Sequence, residues 1–218
     1  VGTDPAHDKD TAKAAQWAAD HLKGSGFEVE ICPTGTASDP GHPIVMAHSP
    51  GSADYDGPHV LFYGHYDVQP ADPIELWESD PFTPIRKPAE GAIGERVVAR
   101  GACDDKGQVA MYLEAMRSLF ETKGIAGGGV KYTVMLEGEE ESGSVNLERF
   151  VEQNSERLGK TDVCLISDTG MLGRGKPAIT YGVRGLAYTE VTLIGSDQDL
   201  HSGLWGGKVP NPMNELTQ

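Results

Sequence analysis

Acidic and imidazole side chains occur in four short stretches, each placed directly beside a segment with a regular hydrophobic pattern. The residues are His65 with Asp67, Asp104 with Asp105, the glutamates at 139–141, and Asp168. One imidazole among several carboxylates suits Zn²⁺, and suits Mn²⁺ or Co²⁺ less well, whereas sites made only of oxygen ligands suit Mg²⁺ or Ca²⁺. So many carboxylates without a cation would repel one another or stay protonated. The sequence therefore predicts a metal site.

Two ions held about 3.5 to 4 Å apart by a shared carboxylate could bind a hydroxide between them and polarise a carbonyl group. Each stretch alone is a weak signal, because a lone histidine is usually structural and a run of glutamates is usually solvated. Asp104 and Asp105 could also simply favour the start of the following helix through its dipole. The joint placement of the four stretches favours the metal site.

Two other chemistries receive less support from the sequence. Cys103 precedes Asp104, but no histidine motif accompanies it as a base, and a small buried thiol is the simpler interpretation. Glu139 and Glu140 are adjacent, and adjacent carboxyls on one loop rarely face each other across a sugar as a glycosidase requires.

Hydrophobic periodicity indicates the elements that must position these side chains. It predicts helices over 8–23, 107–123 and 144–158, and strands over 27–31, 44–47, 59–63, 96–99, 130–136 and 163–166. The alternation of strands and helices is typical of an α/β fold, a three-layer sandwich with a mostly parallel central sheet. We expect 163–166 to be a central strand, and the acidic stretches to meet at the carboxyl ends of the strands.

The pattern changes near residue 182. Residues 186–194 alternate apolar and polar side chains as a one-sided antiparallel strand would, and 211–218 resembles the first turns of a helix. We therefore predict a metal-binding catalytic domain over 1–182. The segment 183–218 is predicted to begin a second, α+β domain.

The charge and cysteine content exclude several classes of partner. The chain has 18 Lys and Arg against 33 Asp and Glu, a net charge of −15, which would repel nucleic acids and anionic membrane surfaces. Its three cysteines are far apart and form neither a disulfide framework nor a metal-binding pair, which favours reduced thiols in the cytoplasm. No apolar run approaches the roughly 20 residues that span a bilayer.

Six motifs give the chain a family resemblance. They are YGHYDVQP (63–70), RGACDDKG (100–107), LEGEEESGS (136–144), ISD (166–168), TYGVRG (180–185) and DLHSG (199–203). In this order, across about 140 residues, the chain resembles the M20 metallopeptidases, and within them the dipeptidase and carnosinase-like branch. The resemblance implies a zinc-binding α/β domain with an inserted lid that mediates homodimerisation, and a small peptide as substrate.

The resemblance also implies roles for individual residues. His65, Asp104 and Asp168 would hold one zinc ion, and Asp104 would bridge to a second ion that Glu141 also binds. Asp67 would orient the imidazole of His65. The general base would be Glu140, and His201 would stabilise the developing oxyanion across the dimer.

The match is incomplete at one point. In the family, the second zinc has a further histidine ligand beyond the lid, and the sequence ends before that position. The remaining histidines match no ligand position and are expected on the surface or in loops; they are His7, His21, His42, His48 and His59. Two alternatives to a dipeptidase stay open: an N-acyl-amino-acid deacylase, and a catalytically incomplete fragment that acts as a binding or dimerisation module.

Overall fold

The computed structural model describes residues 2, 4–91 and 94–217 of the chain. It divides into two compact units, Val1–Met171 and Leu172–Gln218. The helices of the first unit are α1 (Asp8–Gly24), α2 (Lys106–Lys123), α3 (Leu147–Gln153) and α4 (Ser155–Leu158). Its strands are β1 (Glu28–Gly35), β2 (Pro40–Ser49), β3 (Val60–His65), β4 (Ile85–Lys87), β5 (Arg96–Val98), β6 (Tyr132–Glu137) and β7 (Val163–Ile166).

Five strands form one mixed sheet in the order β1-β2-β6-β3-β7. β1, β2 and β6 pair in antiparallel fashion, whereas β6, β3 and β7 run parallel to one another. Since parallel strands end on the same side, the carboxyl ends of β3, β6 and β7 meet at one edge of the sheet. β4 and β5 form a separate two-stranded ladder in the long segment between β3 and α2.

Helices cover both faces of the large sheet and bury two apolar clusters. α1 and α2 pack on one face, and their buried residues there include Ala18, Leu22, Leu113 and Met116, with Phe62, Val134 and Leu136 from the sheet. α3 and α4 cover the other face through Phe150 and Leu158, which belong to one buried cluster with Met46, Leu61 and Met135. The predicted three-layer α/β sandwich is therefore confirmed.

The predicted central position of 163–166 is wrong. β7 is a strand, but it lies at the edge of the sheet, and Val163 and Ile166 are 48% and 55% exposed. An apolar run indicates a strand without showing whether it has neighbours on both sides. In the described part of the chain, only β3 pairs with β7.

The single helix predicted over 144–158 is also wrong. Helix α3 begins only at Leu147, and the helical segment is interrupted at Asn154. The Asn154 side chain donates to the Phe150 carbonyl oxygen at 2.9 Å, and such local side-chain bonds compete with a continuous helix. Ser144, where the predicted helix starts, has a φ of 52°, which no right-handed helix contains.

The second unit contains the short helices α5 (Ser202–Trp205) and α6 (Pro212–Leu216). α6 falls within the predicted 211–218 helix, and the Asn211 side chain caps it by accepting from the Met213 N–H at 2.9 Å. The strand predicted over 186–194 does not form, because an isolated alternating segment has no ladder partner in the part of this unit that the structure describes. The predicted boundary at residue 182 stays a prediction.

None of the helices in the described part of the chain has both the length and the apolar character that crossing a membrane requires.

Candidate metal centre

His65 is the last residue of β3 and is completely buried. Its Nδ1 atom lies 3.1 Å from Oδ1 of Asp67, which is also buried. Because an ionised carboxylate can only accept, this contact places a proton on Nδ1 of His65. In the neutral imidazole, Nε2 is then an unprotonated nitrogen that is able to bind a metal ion.

Three carboxylates face that nitrogen. Oδ1 of Asp104 lies 3.1 Å from His65 Nε2, Oδ2 of Asp168 lies 3.6 Å away, and Oε2 of Glu140 lies 3.8 Å away. The structure brings His65, Asp104 and Asp168 together as a group whose ligand atoms are all within 4.8 Å of one another. Asp104 precedes α2 and Asp168 follows β7, so the group forms at the sheet edge that the sequence predicts.

The donor set fits a divalent cation. An unprotonated Nε2 and ionised carboxylate oxygens are all acceptors, so their contacts need either a proton or a cation between them. Zinc bonds of about 2.0 to 2.1 Å in tetrahedral geometry separate neighbouring ligand atoms by roughly 3.4 Å. The distances from His65 Nε2 to the Asp104 and Asp168 oxygens, 3.1 and 3.6 Å, are close to this value. Without a cation, burial would lower the pKa of His65, but the Asp67 hydrogen bond and the surrounding carboxylates outweigh it and raise that pKa to about 9.

A buried carboxylate supports the group from below. Asp105 is fully buried, and its Oδ2 accepts from the backbone N–H of His65 at 3.2 Å. Its Oδ1 has no hydrogen-bond partner among the described residues. Burial raises the pKa of Asp105 to about 6. Position 64 requires glycine, because a Cβ there would lie 2.9 Å from Asp105 Oδ2.

The glutamates follow β6 in a short 3₁₀ turn over Glu140–Ser142. The backbone N–H of Glu141 donates to Oδ2 of Asp67 at 3.1 Å, so Asp67 connects this turn to His65. Burial raises the pKa of Glu140; His65 opposes that rise, and the nearby carboxylates make smaller contributions that add to it. The carboxylate of Glu141 lies outside the group of ligand atoms found among the described residues.

Two other glutamates of the same motif point into the protein. Glu139 is buried and accepts from the backbone N–H of His42 at 2.8 Å and from the Asn146 amide. Glu137 is buried and accepts from the hydroxyls of Tyr63 and Ser144. Sequence reasoning counted Glu139 among the candidate metal-binding carboxylates and gave Glu137 no role, because the spacing of glutamates does not reveal which ones turn inward.

Three further sequence expectations meet different outcomes. His201 lies in the second unit, where its Nδ1 accepts from the Gly203 N–H at 3.1 Å, and its role stays a prediction. Cys103 is exposed, not buried, because it lies in the turn before α2. His59, expected on the surface or in a loop, lies in the loop just before β3 and is only 5% exposed, because its ring bonds Thr133 and the Lys160 carbonyl.

The sequence matches the model of Peptidase family M20/M25/M40 over residues 61–209, which include every proposed site residue. The chain belongs to this peptidase family.

Several similar proteins have known names. The chain is 41% identical over 162 residues to the Cys-Gly metallodipeptidase dug1 of Schizosaccharomyces pombe, covering 72% of the chain and 32% of that protein. It is 35% identical over 206 residues to the Beta-Ala-His dipeptidase of Mus musculus, covering 91% of the chain and 40% of that protein. The chain therefore spans less than half the length of these relatives.

Solved structures agree with this assignment. The human carnosine dipeptidase 1 structure matches the whole chain with a TM-score of 0.75 and 32% identity, over 45% of its own length. The dipeptidase Dug1p of Saccharomyces cerevisiae also matches the whole chain, with a TM-score of 0.73 and 28% identity, over 46% of its length. Family membership implies the use of a divalent metal, and the group of His65, Asp104 and Asp168 is a possible site for it.

Proposed function

We propose that the protein to which this chain belongs hydrolyses the amide bond of dipeptides or short peptides with a water that bridges two zinc ions. The observation that carries this proposal is the convergence of Asp104, Asp168 and Glu140 on Nε2 of His65. The named dipeptidases among the relatives support the substrate class. Zinc is the first choice for an imidazole and carboxylate set, with Mn²⁺ or Co²⁺ as alternatives.

His65, Asp104 and Asp168 would hold the first ion, and Asp104 with Glu141 would hold the second. When bound, the two ions would lower the pKa of the water between them and polarise the scissile carbonyl. Asp67 keeps the Nδ1 proton on His65 and so leaves Nε2 free as a ligand.

Glu140 is the proposed general base. It would accept the proton of the attacking water and return it to the nitrogen of the departing amine. Two observations support this role: its carboxylate lies 3.8 Å from His65 Nε2, and its pKa is raised towards the range in which a base works near neutral pH. His201 would stabilise the oxyanion. The protein would form a homodimer through the second unit and would act in the cytoplasm.

The first experiment is the metal content of the purified chain after exposure to Zn²⁺ and gel filtration, followed by assays on a panel of dipeptides. Two ions per chain and turnover that a chelator abolishes would support the proposal. A chain that binds no zinc would contradict the metal site. Turnover of N-acyl amino acids in preference to dipeptides would indicate the deacylase alternative. Zinc binding without any turnover would favour an incomplete module.

A further inference from the structure

Glu137 is a buried carboxylate that the proposed reaction does not use. It is the last residue of β6 and is only 2% exposed. The Tyr63 hydroxyl, on the neighbouring strand β3, donates to its Oε1. The Ser144 hydroxyl donates to the same oxygen at 2.9 Å. One oxygen atom therefore joins two hydroxyls from different parts of the chain.

These two partners lie at informative positions. Tyr63 precedes His65 by two residues on β3, and its ring packs against the apolar cluster beneath α3 and α4. Ser144 is at the other end of the loop 138–143 that begins after Glu137. Its φ of 52° makes Ser144 the one non-glycine residue in the left-handed region among the described residues. Such a conformation needs support from its surroundings, and the hydrogen bond to Glu137 supplies it.

The loop closed in this way carries the proposed chemistry. The Ser144 N–H donates to the Glu139 carbonyl at 2.8 Å, and Glu140 and Glu141 lie within the loop. From Glu141 the backbone N–H reaches Asp67, which in turn bonds His65. The loop is thus attached to β3 at two places, through Tyr63 on one side and through Asp67 on the other.

We propose that Glu137 is a positioning residue, which clamps the loop carrying Glu140 and Glu141 to β3 through Tyr63 and Ser144. This proposal rests on the assignment of Glu140 and Glu141 to the proposed function. Glu137 touches neither substrate nor metal in this role. It acts by setting the position of the Glu141 backbone N–H against Asp67, and so the orientation of the turn towards His65.

The clamp depends on an acceptor oxygen and not on a negative charge. Glu137→Gln keeps an amide oxygen that can accept from both hydroxyls, whereas Glu137→Leu fills the space and offers no acceptor. Tyr63→Phe and Ser144→Ala each remove one donor. Matched controls are Tyr112→Phe, whose buried hydroxyl has no hydrogen-bond partner among the described residues, and Ser49→Ala, whose hydroxyl donates to Ala126 far from the loop.

The experiment measures native-state amide hydrogen exchange of the metal-free chain, with the Glu141 N–H as the reporter of the bond to Asp67. We expect Glu137→Leu to speed this exchange at least about tenfold, because it removes two hydrogen bonds to a charged group. The exchange rate in Glu137→Gln should stay within about threefold of the wild-type rate. Tyr63→Phe and Ser144→Ala should each speed it by less, and the two controls should not change it. If Glu137→Leu fails to fold, the two donor variants decide.

A second measurement uses Co²⁺ alone as the probe. Its visible absorption reports the ligand geometry, which a general loss of stability would not alter. We expect Glu137→Leu to change this spectrum and to weaken Co²⁺ binding about tenfold. Glu137→Gln should keep the wild-type spectrum and the wild-type affinity for Co²⁺. Unchanged Glu141 exchange in Glu137→Leu would overturn the proposal. Absence of Co²⁺ binding in the wild type would instead contradict the metal site of the proposed function, and the exchange experiment would still decide the role of Glu137.

Discussion

The Asp67 carboxylate accepts from the His65 imidazole with one oxygen and from the Glu141 backbone N–H with the other, both at 3.1 Å. A single buried side chain therefore orients a proposed ligand and anchors the turn of the proposed base. Both contacts need an acceptor. An amide in place of the carboxylate would direct its NH₂ group towards one of two N–H donors.

We therefore expect Asp67→Asn to weaken zinc binding by about 10 to 100-fold, as is typical when a partner of a metal-binding histidine is lost. Calorimetric titration with Zn²⁺ measures this change. Asp20→Asn is the matched control, because Asp20 is exposed on α1 and accepts a hydrogen bond from the Gln16 side chain. Equal zinc affinities in Asp67→Asn and the wild type would show that Asp67 does not orient His65.

Glu140→Gln separates proton transfer from metal binding. The amide cannot accept the proton of the attacking water, so we expect dipeptide hydrolysis to fall by about 10² to 10⁴-fold while the zinc content stays unchanged. Turnover and elemental analysis of the same zinc-loaded sample measure the two quantities. Glu148→Gln, an exposed carboxylate on α3, should change neither. Retention of near wild-type turnover in Glu140→Gln would remove Glu140 from the reaction.

Gly64→Ala tests the close approach between β3 and Asp105. The added Cβ would lie 2.9 Å from both Asp105 Oδ2 and a methyl group of Val109, so one of them must shift. We expect the free energy of unfolding to fall by about 1 to 3 kcal/mol, with weaker zinc binding. Denaturant unfolding measures the first effect. Gly24→Ala is the control, since its Cβ meets nothing within 4 Å, and its stability should be unchanged or up to about 1 kcal/mol higher.

The buried imidazole of His59 makes the free energy of unfolding depend on pH. Burial lowers the pKa of His59 in the folded protein, and the hydrogen bond to the Lys160 carbonyl opposes part of that shift. The unfolded chain therefore takes up the proton first as pH falls below about 6.5, which favours unfolding. The contribution of His59 is complete above that pH and declines below it, with a slope of at most about 1.4 kcal/mol per pH unit.

Denaturant unfolding between pH 5 and 7.5, in the presence of a chelator, measures this slope. We expect His59→Gln to be less stable at every pH but to show a smaller slope than the wild type. Identical slopes in His59→Gln and the wild type would contradict the proposed origin of the effect.

Local sequence patterns predicted most elements of the first unit, although not β4 or the break at Asn154, and they predicted the place where the candidate site forms. The apolar runs that end near Tyr63, Leu136 and Ile166 predicted three parallel strands. Polar side chains directly beyond the carboxyl ends of parallel strands lie at one edge of the sheet. The group of His65, Asp104 and Asp168 follows from that placement. The roles of these residues remain predictions that the experiments above address.

The details that the sequence did not reveal depend on contacts between distant segments. Val163–Ile166 is an edge strand because of which strands are its neighbours, and its own apolar residues carry no record of that. His59 is buried because Thr133 and Lys160, remote in sequence, provide partners for both ring nitrogens. The inward orientation of Glu137 and Glu139 likewise depends on Tyr63, Ser144 and Asn146.

Consecutive residues at the end of β3 serve three different neighbours. Tyr63 bonds Glu137, Gly64 makes room for Asp105, and His65 faces Asp104. Because successive side chains of a strand point to opposite faces, a one-residue insertion or deletion within Val60–Phe62 would exchange all of these assignments at once. This segment should therefore accept conservative substitutions in a mutational library while rejecting one-residue insertions and deletions, a signature that a deep insertion and deletion scan would reveal.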